Sequence, residues 1–423
     1  MAEGLEVLQG VLYLRDKRRE HERGLISWRG GPMGVVSQLW GTLLLSFFMQ
    51  ILDNSTTPNL WWYSLKQLEE DNSRKQLRYS KNPCLVQVKS IYPICPLHPT
   101  SYHISIFLSS NIIMTPTKVV DVHTHMYPPS YISLLQSRST VPRIHSSPSG
   151  DRLIILSTDD DSSLSPSARG RPIGPEYSSL SHKLSFMDTH HIDISVISLA
   201  NPWLDFLPAG EAAAAARRIN DDMNEQCTIY PGRLFAFGTL PLSGSVEDVV
   251  DEIRRLKDLK YMRGVIMGTS GLGQGLDDIK LEPVWAALQE QKQMVFIHPH
   301  YGLPNEVYGP RAGEYGHVLS LALGFPMETT IAVTRMLVSG VWDRHTQLNV
   351  LLAHSGGTLP FLAGRIESCM LHDGRLKQDG KLQGRRTVWD VLKTNVYLDA
   401  VVYGEAGLKA AIEVSGADRL MFG

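Results

Sequence analysis

Two histidines one residue apart stand at the end of an apolar run in "KVVDVHTHMYPP" (118–129). Side chains two apart on a β-strand share a face, so His123 and His125 would aim two imidazoles at one point. Neutral imidazole is a common metal ligand, and a catalytic zinc takes three protein ligands plus a water. His298, in "MVFIHPH" (294–300), is the candidate third ligand, giving a Zn2+ site of His123, His125 and His298. For any one of these histidines alone, a satisfied buried hydrogen bond is at least as good an account. The His-x-His pair is what turns the reading towards a metal. His354 lies in "LLAHSGG" (351–357), where the small residues after it let substrate or water approach, which suits acid–base work better than ligation. His300 follows His298 by two, but Pro299 interrupts the strand, so His300 is read as supporting the ligands or facing substrate. His190, His191, His317 and His345 read as structural.

Elements that place these histidines follow an alternation. Eight short apolar runs, at 118–122, 194–200, 233–241, 263–268, 294–300, 349–355, 396–400 and 419–423, are separated by helical patterns such as "SVEDVVDEIRRLKDLK" and "TTIAVTRMLVSGVWDRH". The runs are apolar on both faces, as in a parallel sheet covered by helices. The expected fold class is α/β, a (β/α)8 TIM barrel over 114–423, with its chemistry at the C-terminal strand ends. His123, His125, His298, His300 and His354 all fall at such ends. An open doubly wound sheet would call for a glycine-rich first turn, which "DVHTHMYPP" is not. Residues 132–185, rich in Ser, Pro, Gly and charge, read as a long loop after the first strand, a lid carrying an ordered arginine. "GLGQG" (271–275) has the wrong spacing for a dinucleotide fingerprint, and neither a Gly-x-Ser-x-Gly elbow nor a phosphate loop is present.

The 423 residues are 43% hydrophobic and 20% charged with a formal net charge of -2, which gives no basic field for nucleic acid. A small-molecule partner is expected instead. Four cysteines, Cys84, Cys95, Cys227 and Cys369, form no disulfide or metal spacing and fit a reducing, cytoplasmic setting. Residues 1–113 read as an unpatterned N-terminal extension rather than a folded domain. Its apolar stretch 31–52 is a membrane anchor on one reading and part of an accessory extension on another. On the favoured third reading the chain starts at Met114, directly before the first strand.

In this order, "DVHTHMYPP", "VFIHPH", "GFPMETTIA", "LLAHSGGTLPFLAGRIE" and "RLMFG" resemble the amidohydrolase-superfamily metal-dependent decarboxylases typified by aminocarboxymuconate semialdehyde decarboxylase, over about residues 115–423. The resemblance implies one zinc ion on His123, His125 and His298, with His354 activating a metal-bound water or moving the proton. It implies removal of CO2, without an organic cofactor, from a conjugated or aromatic carboxylic acid. The foremost substrate is 2-amino-3-carboxymuconate 6-semialdehyde, of tryptophan (kynurenine) catabolism. Alternatives are a hydroxybenzoate-type acid such as a salicylate, metal-dependent hydrolysis or, outside enzymes, an inactive remnant. A bidentate arginine suits a substrate carboxylate. Arg171, in "ARGRPIGPEY" (168–177), is the candidate, with Arg143 and Arg169 as rivals. The family's further aspartate ligand follows the eighth strand, and neither Asp399 nor Asp418 stands in the matching place. The expectation is therefore of a barrel truncated after its eighth strand and of low activity. The resemblance also points to a homodimer.

Overall fold

The computed structural model describes residues 118–423, apart from 148–149, 156, 161–164, 166–168 and 381, and two short segments, Leu5–Leu8 and Val11–Leu14. The apolar stretch 31–52 lies outside the described residues. Met1–Arg78 and Tyr79–Gly423 are separate units. In the first, the two short strands pair antiparallel with Leu5 opposite Leu14.

In the second unit, eight strands form one parallel sheet in sequential order. They are β1 (Val120–His125), β2 (Ile194–Ser198), β3 (Leu234–Thr239), β4 (Met262–Gly268), β5 (Met294–His298), β6 (Val350–Leu352), β7 (Val396–Asp399) and β8 (Leu420–Met421). The sheet curls until the Val122 N–H donates to the Phe422 carbonyl at 2.9 Å, which nearly closes the expected barrel. Consecutive residues such as Val265, Ile266 and Met267, or Val295, Phe296 and Ile297, are all buried, because one face meets the barrel interior and the other the helices. Each such side chain contributes about 1.5–3 kcal/mol relative to exposure. Gly264 has φ +147° on β4, and a Cβ there would run into the Met294 carbonyl of β5.

Some outer helices, such as Val246–Leu256, follow the expected patterns, and local chemistry sets where helices begin and end. Ser245 and Asp248 form a reciprocal capping box at the start of Val246–Leu256, as Thr387 and Asp390 do for Val388–Thr394. The pattern at 329–345 is not one helix. Phe325–Ser339 begins earlier, with Pro326 in its first turn, and stops at Gly340 in the left-handed region (φ +78°). Among the described residues one run, Ser320–Ser339, is long and apolar enough to cross a bilayer. Here it is a barrel helix preceded by a π turn, and it buries Val333, Met336 and Leu337.

The reading of 132–185 as a long loop is corrected. The segment holds the end of helix Pro129–Gln136, an antiparallel sheet of Arg143–Ser147, Gly150–Ile154 and Arg171–Pro172, and the start of helix Leu180–Thr189. Ile144, Leu153 and Ile154 are buried, so a few apolar residues suffice to dock a sheet whose composition is otherwise polar. Ser and Pro hide that alternation in the sequence.

Strand β1 also runs further than expected, through both histidines, and its pairing with β2 is irregular between Asp121 and Thr124. A buried lysine spans the irregularity. Lys183 Nζ reaches Thr124 Oγ1 (2.7 Å) and Asp121 Oδ2 (3.3 Å), while Ser195 Oγ donates to the same carboxylate. Burial lowers the Lys183 pKa and Asp121 opposes that shift. Removing one member of a buried pair strands the other. K183A is therefore expected to cost about 3 kcal/mol, read as a lower urea midpoint at unchanged slope.

Candidate active site

Barrel strands β1, β5 and β6 deliver four imidazoles to one place. Ring centroids lie 5.1 Å apart for His123 and His125, 5.3 Å for His123 and His298, and 5.0 Å for His125 and His298. One nitrogen from each of these three comes within 4.8 Å of the other two. His354 joins them at 5.1 Å from His123 and 5.2 Å from His298.

What the other nitrogens do decides whether this is a metal site. His123 Nδ1 lies 2.6 Å from Asp399 Oδ2, His125 Nδ1 2.9 Å from Ser198 Oγ, and His298 Nδ1 2.8 Å from the Pro299 carbonyl. A carboxylate and a carbonyl can only accept, so His123 and His298 carry their proton on Nδ1 and present a bare Nε2. The Ser198 hydroxyl supports the same tautomer at His125. Three outward Nε2 lone pairs with occupied Nδ1 partners are the donor set of a divalent metal, and these residues fit zinc.

Burial holds His298 well below its ordinary pKa, and the neighbouring His125, His123 and His354 add to the effect. His125 is lowered likewise, by burial and then by His123, His354 and Arg171. His354 is brought down to about 4, by burial and then His123, with Asp399 opposing. All three are neutral at physiological pH, which is the ligating and proton-accepting form. His354 Nδ1 is buried without a partner.

The chain around His354 is unusual. His354, Ser355, Gly356 and Gly357 all have positive φ (55°, 53°, 74° and 68°), a run in which two members are not glycine. Gly357 has no alternative, since a Cβ there would meet the Pro326 carbonyl. The two non-glycine residues are held by Asp399, which accepts from His354 N (3.0 Å) and Ser355 N (2.7 Å), and whose carbonyl accepts from Ser355 Oγ (2.7 Å). From sequence alone Asp399 is set aside as a match for the family's further ligand, and this supporting role goes unassigned. Its signal was available, because "VYLDA" ends a barrel strand in an acid, the position that singled out the histidines.

Arg171 comes from the small antiparallel sheet. Its guanidinium donates to the Tyr127 hydroxyl (3.3 Å) and sits over the Tyr177 ring at 5.5 Å. Tyr127 in turn donates to the Asn201 carbonyl (3.2 Å), and burial pushes its phenol up to about 12, so it stays protonated. The rivals are placed differently: Arg143 is paired with Asp160 at 2.9 Å, and the Arg169 carbonyl accepts from Arg152. His300 is not among the four converging rings. It is 4% exposed, stacks on Tyr301, and lies near Ser270 Oγ and Asp205 Oδ2, each at 3.2 Å. Trp203 packs edge-on against both His298 and His300. Glu328, also unforeseen, accepts from His300 N (2.6 Å), Gly302 N (2.5 Å) and the Thr269 hydroxyl, which ties the loops after β4 and β5 together.

The chain is also similar to known proteins. Residues 120–423 match the family model described as Amidohydrolase. A crystal structure of IDCase from Metarhizium anisopliae, in apo form, is 58% identical with a TM-score of 0.70, over 73% of this chain and 84% of that one. The gamma-resorcylate decarboxylase of Rhizobium sp. (strain MTP-10005) is 28% identical over 253 residues, 57% of this chain and 74% of the relative. The 2-amino-3-carboxymuconate-6-semialdehyde decarboxylase of Dictyostelium discoideum is 27% identical over 57% of this chain and 64% of the relative.

The lowered histidines set an acid limit on folding. Their unfolded value is 6.5, and His354 and His300 fall to about 4 on folding. Between those values the unfolded chain binds protons that the folded one refuses, so stability is complete above about pH 6.5 and declines as pH falls towards 4. Metal-free protein is expected to show a Tm that drops over that window. A Tm flat from about pH 7 to 4.5 would contradict neutral burial of these rings.

Proposed function

We propose that this chain, which belongs to the amidohydrolase family, is a zinc-dependent decarboxylase of an aromatic carboxylic acid. The observation that carries the reading is the set of three histidines with every Nδ1 occupied, beside a fourth whose Nδ1 is free. Similarity to gamma-resorcylate decarboxylase favours an acid of the hydroxybenzoate kind over the muconate semialdehyde expected from sequence motifs alone.

A divalent ion on His123, His125 and His298 would supply a fixed positive charge and Lewis acidity towards the substrate's oxygens. The remaining work falls to side chains. Arg171 offers two parallel N–H donors to a carboxylate, and Tyr127 and Tyr177 hold its guanidinium in place. The Phe325 ring lies 6.2 Å from His354 and 6.3 Å from His298, an apolar wall against which an aromatic ring can rest. When CO2 leaves, its bonding pair stays on the ring carbon, and one proton must arrive there. Neutral His354, with its unpartnered Nδ1, can take a proton from a substrate hydroxyl or a water and return it to that carbon.

Protein loaded with zinc, and separately with manganese, should release CO2 from 2,6-dihydroxybenzoate or a related aromatic acid. One bound metal with hydrolysis of lactones or amides, and no CO2 from any aromatic acid tried, would transfer the assignment to a hydrolase. H354N is expected to abolish turnover with metal content unchanged; loss of the metal would make His354 a ligand instead. R171A removes the charged hydrogen bonds to the carboxylate, so KM should rise about 10- to 100-fold with a smaller change in kcat.

A further inference from the structure

Asp399 is fully buried, and its carboxylate faces no lysine or arginine among the described residues. An ionised carboxylate has about four acceptor positions. Here four donors fill them: His123 Nδ1 and His354 N at Oδ2, Ser355 N and Val401 N (3.2 Å) at Oδ1. No lone pair remains for a metal, which separates Asp399 from the ligands it touches. Its donors belong to two different functions. One is a ring of the metal cluster on β1, two belong to the left-handed run that carries His354 out of β6, and the fourth, Val401 N, follows β7 itself.

We infer that Asp399 is a positioning residue that sets the metal-binding face of His123 and the stance of His354 at the same time. Pulling on the His123 Nδ1–H keeps that ring's Nε2 bare and pointed at His125 and His298. Accepting from two successive backbone N–H groups offsets the cost of left-handed backbone at His354 and Ser355, neither of which is glycine. Oδ2 takes part in both effects, with His123 Nδ1 and His354 N, while Oδ1 holds Ser355 N, so a shift of the carboxylate moves the ligand and the proton-handling ring together. Ser355 fastens the arrangement a second time through Oγ to the Asp399 main-chain carbonyl.

This deepens the metal and proton roles proposed above, and two of its readouts need no turnover. In metal-free protein labelled with 15N-histidine, His123 is expected as the Nδ1–H tautomer; an Nε2–H tautomer would overturn the inference. An asparagine can accept on one side only, so D399N leaves two of the four donors facing an amide NH2. Metal affinity, measured by chelator competition, should fall about 10- to 100-fold. At saturating metal kcat should stay at least about tenfold down, with KM little changed. Affinity within twofold of the original, or kcat restored by excess metal, would each refute the shared role. If D399N does not fold, S355A addresses the His354 arm alone. There kcat should drop with metal affinity unchanged, and a variant altered in neither would refute the inference. Loss of the decarboxylase reading would silence the kcat measurements and leave the tautomer and the affinity to decide.

Discussion

Each neutral imidazole has a single N–H, and the site depends on where three of them are spent. In water a histidine exchanges tautomers freely, but inside a barrel the partner at Nδ1 decides. Asp399, Ser198 and the Pro299 carbonyl make that choice for His123, His125 and His298. Two of the partners come from strands other than those bearing the rings, β7 and β2. The metal face is thus a product of barrel closure: with the strands apart, the same histidines would have no fixed orientation and no shared focus.

The fold was largely legible because it rests on patterns that survive in a single sequence. Eight apolar runs and the helices between them reflect a sheet buried on both faces, and every run corresponds to a strand within a few residues. Boundaries moved where a local interaction outweighed the pattern. Strand β6 is only Val350–Leu352, because the chain turns left-handed at His354. The helix expected to reach 345 breaks at Gly340. The antiparallel sheet within 143–172 escaped notice because its buried side are few and its exposed side is Ser, Arg and Asp, a composition shared with loops.

The candidate site was legible where chemistry is carried by a rare residue type at a strand end. His123, His125, His298 and His354 satisfy that test, and the structure gathers all four. Partners were harder to see. Asp399, Ser198, Glu328 and Tyr127 are ordinary residue types whose importance lies in which backbone or ring they meet, from as far away as the 276 positions between His123 and Asp399. Such pairings are set by topology, and no spacing rule along the chain reveals them. His300 shows the converse, since a histidine two residues from a ligand is turned aside by Pro299 into its own surroundings of Ser270, Asp205 and Tyr301.

His123, His125 and His298 stand on barrel strands, whereas Arg171 stands on the small sheet inserted after β1 and reaches the site through Tyr127. The histidine cluster and this arginine therefore come from different parts of the chain, the parallel barrel and the antiparallel insert. The barrel strands are pinned by neighbours on both sides and tolerate little change. Ile144 and Leu153 of the insert share one buried cluster with Val196 and Ile197 of the barrel, so only the insert's exposed positions are free to change without disturbing the strands. Divergence on this plan would fall on the exposed side of the insert, where a side chain can change without loosening the barrel beneath it.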